Sequence, residues 1–182
     1  MHIPMSQAAA QIDDGWSQQV YAIAKQAGIS LVTTVPDAGL TRLLQLCGDD
    51  DDMRVVTLST EEEGIGIAYG AWLGGTRALL CLQSSGTGNC INALALPAFA
   101  QSPCLMLVTM RGQEGEGNPA QFPMGRAVRA VFEAMGVVCM EAMTKQQVPT
   151  LFGQAADLAF NEGNAAALLI SQQVIGAKSF AK

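Results

Sequence analysis

Three consecutive acidic residues, Glu61, Glu62 and Glu63, stand out as side chains that could do chemistry. A carboxylate can accept hydrogen bonds or share a proton, but acidic residues in a first helical turn are also favoured by the helix dipole. Glu63 follows Thr60 at the spacing of a T-x-x-E capping box, which predicts a structural role. Glu61 comes directly after a predicted strand, where a ligand would be met, and it is the candidate for chemistry.

A second polar group is the turn Ser-Ser-Gly-Thr-Gly-Asn at residues 84–89, which follows the next predicted strand. Hydroxyls, a side-chain amide and backbone N–H groups at a helix N-terminus are suited to hold an anion. The turn lacks both a GxGxxG pattern and the lysine of a P-loop. A plain strand-to-helix turn is therefore the alternative interpretation.

Two arginines, Arg111 and Arg126, flank a long polar segment at residues 110–124. A guanidinium pairs well with oxyanions such as carboxylate or phosphate, so both are candidates to bind an anionic substrate. Solvated surface positions are the alternative for both.

The elements that must position these residues alternate in type. Short apolar runs alternate with segments of helical apolar spacing, which predicts an α/β fold: a three-layer α/β/α domain with a six-stranded, mainly parallel sheet. We expect a single domain over residues 1–182 with a core at about 16–170. Predicted strands cover residues 29–33, 53–58, 78–83, 104–109, 137–140 and 166–170, and predicted helices cover 16–27, 38–47, 61–74, 90–100, 126–135 and 146–161.

Ligands of open α/β sheets bind beyond the carboxyl ends of the strands, which is where these candidates fall. The first such turn is Val35-Pro36-Asp37. Pro36 disfavours a helical conformation at Val35, and Asp37 is placed to cap the helix that follows.

A glycine face is predicted on the helix at residues 61–74, because Gly66, Gly70 and Gly74 recur every fourth residue. Each glycine inside a helix costs about 1 kcal/mol relative to alanine. We therefore expect another surface to pack closely against this face.

Composition excludes several classes of function. The 182 residues carry a formal charge of -6 and only ten scattered Lys and Arg, which argues against nucleic acid. Five cysteines without CxxC spacing fit a reducing cytoplasm. No leader pattern or membrane-length apolar run occurs, so we expect a soluble, unprocessed protein. A single histidine, His2, argues against histidine catalysis and against a zinc site. The acidic run at 49–52 is interpreted as a solvated loop, with a cation site as the alternative.

Several motifs in order resemble the Pyr domain of thiamine-diphosphate enzymes, especially the phosphonopyruvate and sulfopyruvate decarboxylase group. The matching residues are Val35-Pro36-Asp37, Glu61 with Gly66, Ala68 and Gly70, residues 83–89, and Arg111-Gly112. The resemblance extends over about residues 16–170, nearly the whole chain.

The resemblance implies that Glu61, nine residues before Gly70, hydrogen-bonds a pyrimidine ring nitrogen of thiamine diphosphate, with Glu62 as the alternative. The cofactor of the family attacks a 2-oxo acid, which then loses carbon dioxide. The other implied cofactor-binding residues are Val35, Pro36, Ser85, Gly86 and Asn89. The implied substrate-binding residues are Asp37, Ser84, Arg111 and Arg126.

The family's diphosphate-binding domain carries a GDG motif and downstream asparagines that hold Mg²⁺ and the diphosphate, and GDG does not occur in this sequence. In the sulfopyruvate type the two domains are separate subunits. The resemblance thus implies an α subunit that shares thiamine diphosphate with a β subunit, holds no metal itself, and forms homo-oligomer contacts through the helix at 61–74. The implied substrate is a small anionic 2-oxo acid: 3-sulfopyruvate, or alternatively phosphonopyruvate.

Two other interpretations remain open at this point. The chain is a non-catalytic regulatory or binding module that keeps a Pyr-like fold, or it is a nucleotide-binding α/β domain that uses the turn at 84–89.

Overall fold

The computed structural model describes residues 15–176, and within them six strands form one parallel sheet. The strands are β1 (Ile29–Thr34), β2 (Arg54–Thr57), β3 (Arg77–Gln83), β4 (Cys104–Thr109), β5 (Val138–Ala142) and β6 (Ala165–Ile170). The helices are α1 (Trp16–Gln26), α2 (Thr41–Gly48), α3 (Glu61–Leu73), α4 (Thr87–Cys90), α5 (Ala95–Ala100), α6 (Phe122–Ala134), α7 (Gln147–Phe160) and α8 (Gln172–Ile175), with 3-10 turns at Ala38–Leu40 and Pro119–Gln121. The predicted α/β class is confirmed.

Apolar side chains cover both faces of the sheet, because successive residues of a strand point to opposite sides. Leu79 of β3 lies in one layer with Val20 of α1 and Phe152 of α7, all fully buried. Leu80, its neighbour in β3, lies in the opposite layer with Phe132 of α6 and with residues of α3. The central strands are therefore apolar on both sides, as the continuous apolar runs predict.

The strand order β2-β1-β3-β4-β6-β5 creates a crevice at the carboxyl edge of the sheet. From β1 the chain passes to β2 on one side and then returns to form β3 on the other side. Because all strands run in the same direction, the turns that follow β1, β2, β3 and β4 meet at one edge. Such a divergence of connections is the usual ligand position in open α/β sheets.

The predicted helix at 90–100 is wrong in one respect, because the structure has two short helices, α4 and α5, there. Pro97 has no N–H to donate to Ala93, four residues earlier, and its ring crowds that carbonyl. The Ala93 carbonyl accepts instead from Leu96, at 3.0 Å, in a tighter turn. Proline thus breaks a segment that its apolar spacing favours as one helix.

The segment after β4 is shorter and more structured than the predicted loop at 110–124. Asn118 accepts a hydrogen bond of 3.1 Å from the N–H of Ala120 and begins a 3-10 turn, and α6 starts at Phe122 instead of the predicted Arg126. Two other elements also differ from the prediction. Strand β5 extends to Ala142, and helix α8 was not predicted.

The caps of two helices test the sequence predictions directly. Asp37 accepts a hydrogen bond of 2.9 Å from the N–H of Gly39, so its predicted capping role is confirmed. The predicted capping box of Thr60 is wrong, since the Thr60 side chain makes no capping bond. Glu63 instead accepts from the N–H of Ser59 at 2.9 Å, one residue earlier, and still ties down the start of α3.

The glycine of α3 that packs closely is Gly64, which lies outside the glycine face. A Cβ atom at Gly64 would lie 2.5 Å from Cδ1 of Leu80, so α3 approaches β3 only because Gly64 has no side chain. A Cβ atom at Gly66 or Gly70 would meet nothing within 4 Å. The glycine face is exposed, and among residues 15–176 the surface expected to cover it is not present.

The acidic run at 49–52 is partly anchored to α1. Asp50 accepts hydrogen bonds from the Tyr21 hydroxyl at 2.6 Å, and it pairs with Lys25 at 2.7 Å. These partners hold the pKa of Asp50 at about 2. Asp49, Asp51 and Asp52 are exposed or half-exposed, as a solvated loop predicts.

In the described part of the chain, no helix combines the length and the apolar character needed to cross a membrane.

Candidate active site

Glu61, the first residue of α3, is placed at the carboxyl edge of the sheet and is only 8% exposed. The side-chain amide of Asn89 donates a hydrogen bond of 2.7 Å to its Oε2 atom. Its Oε1 atom accepts no hydrogen bond from residues 15–176. A shielded carboxylate with one oxygen held and the other available is suited to bind a ligand donor.

Gly86 makes this placement possible. A Cβ atom at Gly86 would overlap the carboxylate of Glu61, so only glycine allows the turn after β3 to approach it. The structure thus brings Glu61, Gly86 and Asn89 together, three residues that the sequence analysis predicted to bind the same ligand.

The other two glutamates of the triplet lie outside this cluster. Glu62 and Glu63 are exposed, and Glu63 is used in the cap of α3. The three acidic residues therefore have three different environments, and only Glu61 faces the crevice turn.

Asp37 links the turn after β1 to the ends of β3 and β4, the next two strands on one side of the sheet. Besides its capping bond, it accepts from Nε2 of Gln83 at 2.7 Å and from the hydroxyl of Thr109 at 3.0 Å. The Asp37 side chain thus joins the carboxyl ends of β1, β3 and β4. Val35 and Pro36, which precede it, are half-buried and exposed respectively.

The turn at 84–89 is built by its own hydroxyls. The fully buried Ser84 hydroxyl accepts from the backbone N–H of Arg111 at 2.9 Å, and the Thr87 hydroxyl donates to the Ser84 carbonyl at 2.6 Å. The Ser85 hydroxyl donates to Oε1 of Gln83 at 2.8 Å. Ser84 is therefore the link between the turn and the end of β4.

Arg111 is buried, which excludes the solvated surface alternative for this residue. It is 3% exposed, and its Nε and Nη2 atoms donate to the two carboxylate oxygens of Glu116 at 2.7 and 2.8 Å. This pairing, with further backbone hydrogen bonds, lowers the pKa of Glu116 to about 2. Glu116 is therefore ionised at neutral pH.

Arg126 occupies a different environment. It is exposed on α6, and its Nε donates to the carbonyl of Phe122 at 3.3 Å, one turn earlier on the same helix. The structure does not bring it into contact with Arg111, Asp37 or Ser84.

Glu116, Gln113 and Gln172 were missed by the sequence analysis. Gln113 accepts from the Ser171 hydroxyl at 2.9 Å and from the N–H of Gln172 at 2.7 Å, and thus ties the segment after β4 to the end of β6. Gln172 follows a strand end, a position that could have identified it. Nothing in the sequence separates Glu116 from the exposed Glu114 two residues earlier.

The cysteines are not placed to act as nucleophiles. Burial, with a smaller contribution from Glu61, raises the pKa of Cys90 to about 12. Burial likewise raises the pKa of Cys47 to about 11. A thiol with such a pKa is not a thiolate at neutral pH.

No group of three or more His, Cys, Asp or Glu side chains within residues 15–176 is placed to hold a metal ion. His2, the histidine considered in the sequence analysis, lies outside the described residues.

Comparisons with known proteins identify similar sequences. Residues 16–135 match the family described as thiamine pyrophosphate enzyme, N-terminal TPP binding domain. The chain is 34% identical over 155 residues to the sulfopyruvate decarboxylase subunit alpha of Methanococcus maripaludis, covering 85% of this chain and 93% of the relative. It is 32% identical to the protein of the same name in Methanocaldococcus jannaschii, covering 84% and 91% of the two chains.

Two further matches are more distant. The phosphonopyruvate decarboxylase of Streptomyces hygroscopicus is 30% identical over 141 residues. The match covers 67% of this chain and 35% of that relative. Among solved structures, the 2-oxoglutarate:ferredoxin oxidoreductase of Magnetococcus marinus superimposes with a TM-score of 0.72 at 13% identity, over 88% of this chain and 29% of that one. At this identity the structural likeness shows the fold alone.

Proposed function

The chain belongs to the family of thiamine pyrophosphate enzymes, in which it matches the N-terminal TPP-binding domain, and we propose that it is the α subunit of a 2-oxo acid decarboxylase. The proposed reaction converts 3-sulfopyruvate to sulfoacetaldehyde and carbon dioxide. Two relatives are named as α subunits of sulfopyruvate decarboxylase and align over more than nine-tenths of their own length. These matches support the proposed function.

The observation that carries the proposal is the environment of Glu61. The residue is 8% exposed, and its Oε1 atom lies against Gly86 of the turn after β3 and has no donor within residues 15–176. Such an oxygen fits a ring nitrogen of the cofactor's pyrimidine, since a hydrogen bond formed away from water is favoured. Asn89 and Gly86 would keep the carboxylate oriented for that bond.

The remaining cofactor contacts come from the two turns beside Glu61. We assign Val35, Pro36 and Ser85 to the walls of the cofactor site, because they lie at the ends of β1 and β3 on either side of the crevice. Thiamine diphosphate, when bound, supplies a carbon nucleophile and accepts the electrons left by departing carbon dioxide. The chain's own task is to orient the pyrimidine and keep water out.

The substrate would lie toward the end of β4. Asp37, Ser84 and Arg111 converge there through the hydrogen bonds described above. Arg111 is the cationic residue of these three, and we propose that it binds the anionic group of the substrate. Arg126 stays a candidate only for a contact made through the exposed side of α6.

A β subunit would supply the diphosphate-binding half of the site together with Mg²⁺. The exposed glycine face of α3 supports a contact with another chain, because Gly66 and Gly70 leave its surface open to close approach. Apolar side chains extend this surface, with Leu73 69% exposed and Phe99 90% exposed. We propose that homo-oligomer contacts and the β subunit both use this side of the molecule.

The proposal is tested by measuring carbon dioxide release from 3-sulfopyruvate with thiamine diphosphate and Mg²⁺ present. Three samples are compared: the chain alone, a β-type partner alone, and the mixture. We expect activity only in the mixture. Full activity of this chain without a second one would contradict the shared site.

Phosphonopyruvate is the second candidate substrate, since the Streptomyces relative carries the name phosphonopyruvate decarboxylase. The two acids differ only in the terminal oxyanion. Competition between them in the mixture, read as relative kcat/KM, decides which is preferred.

A further inference from the structure

Arg111 has donors that residues 15–176 do not use. Its side chain is 4% exposed, and of the five guanidinium N–H groups only one on Nε and one on Nη2 make hydrogen bonds, both to Glu116. Both hydrogens of Nη1 and the second one of Nη2 have no partner in this part of the chain. Nη1 is not enclosed by the described residues, whose buried side-chain atoms without a partner are Thr33 Oγ1, Ser102 Oγ and Gln121 Oε1. The free edge of an otherwise buried cation therefore reaches the surface, where an anionic ligand can meet it.

The free donors lie along one edge of the planar guanidinium. Glu116 binds the edge formed by Nε and Nη2, which leaves the edge formed by Nη1 and Nη2. That second edge can bind another two-oxygen anion, because guanidinium and oxyanion match as parallel hydrogen-bond pairs.

Glu116 itself is fixed in position. It also accepts from the backbone N–H of Gly112 at 3.2 Å, from that of Asn118 at 2.9 Å, and from Nε2 of Gln172 at 3.2 Å. Its side chain is fully buried and, as its pKa of about 2 requires, ionised at neutral pH. A carboxylate held by donors of three residues, in two segments of the chain, can hold an arginine side chain in one orientation.

One hydrogen bond ties the backbone of Arg111 to the crevice. The N–H of Arg111 donates to Ser84, the first residue of the turn that contacts Glu61 through Gly86 and Asn89. Arg111 therefore follows the strand next to the turn that orients Glu61, on the side away from β1.

We propose that Glu116 is a positioning residue that holds Arg111 by one edge and thereby presents the other edge to an oxyanion of the substrate. The ligand class is a two-oxygen anionic group, either the carboxylate or the terminal sulfonate of the 2-oxo acid. This inference rests on the proposed function, because it assigns the anion to that substrate.

The binding test uses sulfoacetate, which carries both oxyanions but has no oxo group to react. The full chain, alone and assembled with its β subunit, is titrated by calorimetry as wild type, Glu116→Gln, Glu116→Asp and Glu114→Gln. We expect Glu116→Gln to weaken binding about tenfold or more, as loss of a charge-assisted contact implies. Glu114→Gln is the matched control, since Glu114 is exposed in the same segment, and it should bind like wild type.

Two outcomes would overturn the proposal: no sulfoacetate binding by wild type in either form, or equal binding by wild type and Glu116→Gln. Glu116→Asp is the second variant, for use if Glu116→Gln does not fold. It keeps the negative charge, so it should fold, but its shorter side chain moves the carboxylate away from Arg111, so sulfoacetate should bind weakly. Parallel titrations with acetate and with methanesulfonate identify which oxyanion is bound.

Steady-state kinetics separate positioning from a merely structural role. Misorientation of Arg111 should raise KM for 3-sulfopyruvate about tenfold with a much smaller change in kcat, whereas a loosened fold would lower the active fraction and hence kcat. If the wild-type assembly releases no carbon dioxide from any 2-oxo acid, the proposed function fails, and the calorimetric result still decides the role of Glu116.

Discussion

Glu61 and Asn89, 28 residues apart in sequence, are joined by a hydrogen bond of 2.7 Å between the Asn89 amide and Oε2 of the carboxylate. The bond links the start of α3 to the turn after β3. Gly86 of the same turn lies against the other carboxylate oxygen. The orientation of Glu61 therefore depends on a segment that is distant along the chain, and substitutions in that segment should act through the carboxylate.

Gly86→Ala should reduce activity without preventing folding. The added methyl group overlaps the Glu61 carboxylate, which must move away from the orientation that Asn89 imposes. We expect turnover of the assembled decarboxylase to fall at least about tenfold, and the free energy of unfolding to fall by about 1–3 kcal/mol, as overpacking implies. Carbon dioxide release and urea unfolding measure the two effects.

Gly153→Ala makes the same change in α7, away from the crevice. A Cβ atom there would lie 3.9 Å from the nearest atom, Cγ2 of Ile23, an ordinary contact. Activity should equal that of wild type, and stability should be equal or up to about 1 kcal/mol higher, since alanine favours helix. Wild-type turnover in Gly86→Ala would show that the position of Glu61 is not critical.

Glu61→Gln should lower the turnover of the assembled enzyme, whereas Glu62→Gln should not. Glutamine at 61 keeps the size of the side chain but loses the charge at the shielded position, and we expect turnover to fall by about a hundredfold or more, in the range of proton-transfer groups. Glu62 is exposed, so Glu62→Gln should leave turnover unchanged. The opposite ranking, measured as kcat under saturating cofactor, would assign the role to Glu62.

The sheet was predictable because local sequence determines it. Runs such as Leu79 to Leu82 are apolar at every position, which in a chain of alternating elements indicates a central parallel strand. The strand order was not predicted, because it depends on which strands pair across the sheet and not on any single segment. The break before Pro97 was missed since the apolar spacing there still favours one helix.

The site was predictable only where residues adjoin strand ends. Glu61 begins the helix that follows β2, and Asp37 lies in the turn after β1, so topology alone places them at the ligand edge. Glu116 lies inside a polar segment with no periodicity, and its burial results from contacts with Arg111 and Gln172, the latter 56 residues away. No local pattern distinguishes such a residue from Glu114.

Gly66→Gln should leave the fold intact and impair assembly. A side chain at this position extends into open space, so the isolated chain should unfold at an equal or slightly higher urea concentration because glutamine favours helix over glycine. The same side chain would prevent another helix from approaching the glycine face. Sedimentation equilibrium of the chain, alone and with its β subunit, should show weaker association.

The control for assembly is Ala22→Gln, which introduces the same side chain at an exposed position of α1, in the layer on the other side of the sheet. Association should match wild type. If Gly66→Gln also associates normally, the glycine face is not a contact surface and its glycines need another explanation.

Glu116→Gln should change how stability depends on pH. The pKa of Glu116 is lowered from its ordinary value of 4.5 to about 2 in the folded chain, mainly by hydrogen bonds from Arg111. A lowered folded-state pKa stabilises the fold above pH 4.5, and this contribution is lost as the pH falls toward 2.

We expect Glu116→Gln to be about 3 kcal/mol less stable than wild type at pH 7, since it leaves Arg111 buried without its counter-ion. Urea unfolding between pH 7 and pH 2.5 should show this difference shrinking below about pH 5, because only in wild type does the carboxyl at position 116 take up a proton on unfolding. Asp50, whose pKa is also about 2, is present in both proteins and cancels in the comparison. A difference that stays constant down to pH 2.5 would mean that the Glu116 carboxylate is not stabilised by its ion pair.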